Sequence, residues 1–111
     1  MIRQSFLMVV LCGLALTPLA GCNAVTVGNT CDTREDCVPG QDCFSAPGGF
    51  CTRGCTEPGR TTDCPSGTIC TFFGQIQVCS PICDSAGECR NDYECVEAGG
   101  TTALKACRPV K

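Results

Sequence analysis

"CTEPGRTTDCPSGTICTFFGQIQVC", residues 55–79, holds four cysteines separated by eight, five and eight residues. Its middle loop carries Gly67, and its last loop carries Gly74-Gln75 inside an otherwise largely apolar stretch. Glycine enters the left-handed backbone region without the Cβ clash that other residues suffer, so both loops are suited to turning. A two-residue type II′ turn at Gly74-Gln75 makes the last loop a hairpin. In it Phe73 faces Ile76, Phe72 faces Gln77, Thr71 faces Val78 and Cys70 faces Cys79. Side chains alternate along a strand, so Phe72 shares a face with the two cysteines. Phe73, Ile76 and Val78 share the other face. With the cysteines directed into the cross-linked centre, these three are expected outside, as candidate partner contacts. Packing of the same stripe against a neighbouring unit is the competing expectation.

The layout recurs on both sides. Cys31, Cys37, Cys43 and Cys51 precede it, and Cys83, Cys89, Cys95 and Cys107 follow, with three residues between successive groups. The units run from about 31 to 51, 55 to 79 and 83 to 107, and a period in the twenties marks a tandem repeat. An acidic residue stands before every second cysteine: Asp36, Asp63 and Glu88. Gly40 and Gly67 are matched in the third unit by Asp92, a residue that also tolerates the left-handed conformation. Gly48-Gly49 and Gly99-Gly100 supply the other two hairpin tips. The chain therefore reads as a small disulfide-rich fold: three tandem four-cysteine units of turns and short β-hairpins, with little helix after the leader. If each unit closes on itself, three pairings are open to it. Interlaced bonding, first to third and second to fourth, is expected, and bonding across the hairpin is its rival.

Only twelve Val, Ile, Leu or Phe side chains occur among the 81 residues from Cys31 to Lys111. So little apolar material does not offset the conformational entropy of a chain this long, and without cross-links it would stay disordered. Disulfides act by shrinking the unfolded ensemble. Charge excludes one class of partner. Without Arg3 the chain holds seven basic and eleven acidic residues, with neither a basic cluster nor an aromatic platform for nucleic acid.

Residues 1–21 read as a signal peptide. Arg3 is followed by an uncharged apolar run from Phe6 to Leu16, then Thr17-Pro18 and the small pair Ala20-Gly21. Eleven residues of helix rise about 16 Å, too short for a hydrocarbon core of about 30 Å. Leu19-Ala20-Gly21-Cys22 resembles the lipobox of bacterial lipoproteins. The resemblance implies cleavage before Cys22, a diacylglyceryl thioether on its sulfur, and an acylated (palmitate-type) amino terminus. Asn23 occupies the family's sorting position without the Asp that retains proteins at the inner membrane, which favours the outer membrane. Residues 22–30 become a lipidated tether and 31–111 the cysteine-rich domain. With Cys12 removed and Cys22 lipidated, twelve of the fourteen cysteines remain, enough for six disulfides. The units are also similar to cysteine-rich repeats of exported bacterial lipoproteins, and more distantly to the dickkopf N-terminal module. The shared elements are Asp-Cys, the five-residue turn loop with glycine, and the three-residue gap. Lys111 stands where a next unit would begin.

No cofactor or metal is expected. Cys51-x3-Cys55 and Cys79-x3-Cys83 have zinc-like spacing, yet the chain has no histidine and its leader sends it to an oxidising compartment. No C-x-x-C motif supplies a low-pKa thiol. "CDTRED" (31–36) and "CRNDYE" (89–94) gather oxygen donors, but neither is an EF-hand loop, and solvated charge accounts for them. Without histidine or a cleft to pair carboxylates, an enzyme is not expected. The expected role is a lipid-anchored protein of the bacterial cell envelope, presenting a rigid binding or structural module to an extracytoplasmic protein or glycan. The alternative is a surface-tethered protease inhibitor.

Overall fold

The computed structural model describes residues 26–110. Residues 1–25, which hold the expected signal peptide, Cys22 and the start of the expected tether, lie outside the described residues, as does Lys111. Each unit begins its ordered turn after the second cysteine. The N–H groups of Gln41, Thr68 and Tyr93 donate to the carbonyls of Val38, Pro65 and Arg90 at 3.1, 3.0 and 3.0 Å. The third residue of each turn has positive φ: 94° at Gly40, 82° at Gly67 and 74° at Asp92. That is the mark of a type II turn, and Pro39 fits the position before it in the first unit.

Each turn leads into a hairpin. The strands are β1 (Asp42–Phe44) and β2 (Phe50–Thr52), β3 (Thr68–Phe73) and β4 (Ile76–Cys83), and β5 (Tyr93–Glu97) and β6 (Lys105–Pro109). The only helical pieces among the described residues are 3-10 turns at Arg34–Asp36 and Ala86–Glu88. Third and fourth cysteines face each other in every hairpin: Cys43 and Cys51, Cys70 and Cys79, Cys95 and Cys107. They do not bond to each other. The disulfides are Cys31–Cys43 and Cys37–Cys51, Cys55–Cys70 and Cys64–Cys79, Cys83–Cys95 and Cys89–Cys107. Two cysteines on one hairpin face both point at the segment lying across that face, and that segment carries the first two. Cα separations of 5.5 to 6.0 Å are ordinary for the bond.

Units are joined by one rule applied twice. The residue after a fourth cysteine reaches the fourth cysteine of the next unit. Thr52 Oγ1 donates to the Cys79 carbonyl at 2.5 Å, and Ser80 Oγ donates to the Cys107 carbonyl at 2.6 Å. The chain beyond then runs antiparallel to that strand: Gly54 bridges Val78, and Ile82 pairs with Ala106. Residues ahead of the first unit take the same place on it. Gly28 N–H donates to the Cys51 carbonyl at 2.8 Å, and Cys51 N–H to the Asn29 carbonyl at 3.0 Å. The second and third hairpins thereby merge into a sheet of order β3-β4-β6-β5, and β1-β2 stays a separate pair.

The core forms where the units meet. Val27, Phe50, Phe73, Val78 and Tyr93 make one buried cluster, and Ile69, Ala98 and Ala106 a second. The Phe50 and Phe73 rings meet edge-on at 4.8 Å, and Phe50 lies 5.4 Å from Tyr93. The β3–β4 register is the one read from Gly74-Gln75, from Cys70 opposite Cys79 to Phe73 opposite Ile76. Gly74 has φ of 67° and Gln75 is not in that region, as a type II′ turn requires. The exposure of its stripe is corrected. Phe73 is 8% and Val78 0% exposed, because Phe50 of the first unit and Tyr93 of the third close over them. Only Ile76, beside the tip, stays open at 44%. Phe73 and Val78 are core, and neither is a partner contact.

Candidate functional site

The three acidic residues ahead of the second cysteines have one shared task. Asp36 Oδ2 accepts from the N–H groups of Asp32 and Thr33 at 2.8 and 3.2 Å. Asp63 Oδ2 accepts from Thr56 N–H at 3.4 Å and its hydroxyl at 2.8 Å, and Glu88 Oε1 accepts from Asp84 N–H at 2.7 Å. Each carboxylate thus ties the residue after the first cysteine of its own unit, closing the loop that the disulfides span. The Asp32 and Thr33 amides hold the Asp36 carboxyl below the usual carboxylate range. These are charge-assisted loop clasps, and they account for the acidic pattern without a cation.

The sulfur atoms invite a similar question. The Sγ atoms of Cys31, Cys37 and Cys51 lie within 4.8 Å of one another, and the other units repeat the arrangement. All of these atoms are in disulfides. A metal-binding thiolate would require reduction, so the clusters are pairs of disulfides packed side by side.

The most distinctive constellation was not legible in the repeat pattern: Arg90, where the other turns begin with Val38 and Pro65. Arg90 Nη1 donates to the Gly28 carbonyl and Nη2 to the Pro47 carbonyl, each at 2.6 Å. Its guanidinium lies 4.8 Å from the Tyr93 ring centre and 5.6 Å from that of Phe50. Tyr93 adds a hydroxyl bond to the Pro47 carbonyl at 2.8 Å. One cation therefore fastens the third unit to both the leading segment and the first hairpin, through bonds stronger than neutral ones. The departure of Arg90 from the other two turns was the only available signal. Burial raises the Tyr93 phenol above its usual 10.0, the Arg90 charge pulls it back, and Asp92 pushes it up.

Beside this rivet lies a cleft of about 390 Å³, with mostly apolar walls from Val27, Phe50, Pro81 and Tyr93 and with Glu88 and Arg90 at its charged side. It has the size of a small-ligand or side-chain pocket. It gathers no nucleophile and base in a working pair. The expected site residues thus divide. The twelve cysteines from Cys31 to Cys107 form the staples, Phe73 and Val78 form core, Ile76 stays exposed, and Cys22 lies outside the described residues. No family model matches the chain, and no curated protein or solved structure is significantly similar to it.

Proposed function

We propose that the chain is a lipid-anchored protein of the bacterial cell envelope, more suited to the outer than the inner membrane, that engages an extracytoplasmic protein or glycan through a rigid module and catalyses nothing. The observation that carries the proposal is the pairing. The twelve cysteines after the tether are consumed among themselves, leaving none for Cys22, whose Leu-Ala-Gly setting suits lipid attachment. Two or more long acyl chains hold a protein on a bilayer essentially irreversibly. A scaffold stapled twice per unit loses little freedom on binding, so more of each contact is left as affinity. Among the described residues no helix is long and apolar enough to cross a membrane.

Detergent partitioning of the full chain and of Cys22→Ser tests the anchor. The native protein is expected in the detergent phase, and the variant in the aqueous phase or as uncleaved precursor. A native chain that is mature but without lipid would overturn the proposal. The disulfide-stapled domain is further expected to leave a panel of proteases active; stoichiometric inhibition would make it a tethered inhibitor.

A further inference from the structure

We infer that the Val38–Gln41 turn of the first unit is the membrane-facing pole of the domain and rests on the phospholipid headgroup surface. The inference depends on lipidation of Cys22, as proposed above.

Three observations carry it. First, the chain is fixed from Thr26 onward. Gln41, only 7% exposed, donates from Nε2 to Thr26 Oγ1 at 3.0 Å, and Gly28 and Asn29 are bonded to Cys51. Three residues separate Cys22 from Thr26, and the four Cα-to-Cα steps between them reach about 14 Å at most when fully extended. The headgroup layer of one leaflet is itself about 5 to 8 Å deep. A lipid-bearing Cys22 therefore keeps Thr26 within about 6 to 9 Å of the headgroup surface.

Second, the leading segment has a direction. It starts beside Gln41, at the turn end of the first hairpin, and finishes at the tip end, where Cys31 N–H donates to the Gly48 carbonyl at 3.2 Å. The tether therefore leaves from the turn end, and the Gly48 tip with its Arg90 rivet lies at the other.

Third, the turn suits a lipid surface. Val38, Pro39 and Gly40 are all exposed and uncharged, Val38 at 39%. A methyl group built on Gly40 would meet nothing within 4 Å, so no other part of the domain covers it. Of the ionic groups flanking the turn in sequence, Arg34 and Asp42 are paired at 2.7 Å, and the Asp36 carboxylate accepts from the Asp32 and Thr33 amides. The matching turns begin with Pro65-Ser66 and Arg90-Asn91, and Arg90 is turned inward to carbonyls. Acidic residues outnumber basic ones, so attraction to anionic headgroups does not hold the turn down. The short tether does, and the contact is insensitive to salt. Partners then meet the domain at the pole that carries the Gly48 tip.

The test places an encoded fluorescent residue at Val38 or, as the distal control, at Ser45 in the full-length chain. Quenching by headgroup spin-labelled phospholipid in vesicles is then compared. Strong quenching at position 38, little at 45, no change at high salt, and loss of the difference when a long Gly-Ser linker follows Val25 are expected. Equal or stronger quenching at 45, or indifference to the linker, would overturn the inference. Coupling the Cys22 thiol of the 22–111 chain to a maleimide lipid builds the same geometry without cellular lipidation. A chain that escapes lipidation in cells, yet shows the quenching difference when coupled, refutes the anchor and leaves the orientation standing.

Discussion

Asp92 has φ of 74°, in a region that costs an ordinary L-residue about 1 to 2 kcal/mol. It occupies the place of Gly40 and Gly67, and its short polar side chain makes the conformation tolerable. Asp92→Gly is expected to leave the denaturation midpoint unchanged or slightly higher, while Asp92→Val, whose branched side chain opposes that backbone, lowers stability by about 1 to 3 kcal/mol. Equal midpoints for Val and Gly would remove the argument. Asp36 makes a pH prediction. Its folded-state carboxyl is held below the usual range by the Asp32 and Thr33 amides. The clasp is therefore fully present above the ordinary carboxylate pKa and is lost as pH falls through the lowered one. Amide chemical shifts of Asp32 and Thr33 should titrate together below the usual carboxylate range and become flat in Asp36→Asn. These positions were legible because each is a local demand repeated three times: a positive-φ residue three after the second cysteine and an acid just before it.

At the scale of the element, the hairpin register followed from Gly74-Gln75, but its outward face did not. Alternation says which side chains share a face; it does not say what covers that face. In β3 both faces are covered, one by the disulfides and one by Phe50 and Tyr93, twenty or more positions from Phe73. Phe73→Ala is expected to cost about 3 to 5 kcal/mol in urea unfolding, whereas Ile76→Ser changes stability by about 0.5 kcal/mol or less. Similar losses for both would put Ile76 in the core as well. The joints between elements were equally hidden. Thr52 to Cys79, Thr71 to Ala98 and Ser80 to Cys107 are buried hydroxyl-to-carbonyl bonds, each spanning 27 residues. Ser and Thr after a cysteine look like ordinary loop residues. Only the stacked partner reveals that each saturates a carbonyl that burial would otherwise leave unpaired.

At the scale of the whole molecule, no unit has a core of its own. Phe50, Phe73 and Tyr93 come one from each unit and meet only when all three are assembled, with Arg90 closing the first onto the third. Cysteine spacing announced three stapled units, and the scarcity of apolar residues announced their dependence on staples. The closure was silent because it rests on one arginine bonded to the Gly28 and Pro47 carbonyls and on the Tyr93 hydroxyl bonded to the same Pro47 carbonyl. The joint that Thr52 and Ser80 make has Arg108 at its third occurrence, with Pro109 after it, as Pro81 follows Ser80. The chain's covalent state comprises these staples and the proposed lipid on Cys22. Top-down mass spectrometry of the chain extracted from membranes reads it directly. A first residue Cys22 bearing diacylglycerol, twelve hydrogens fewer than the reduced sequence, and fragments tying first to third and second to fourth cysteines within each unit are expected. A free thiol, a disulfide between units, or a mature amino terminus without lipid would contradict the account.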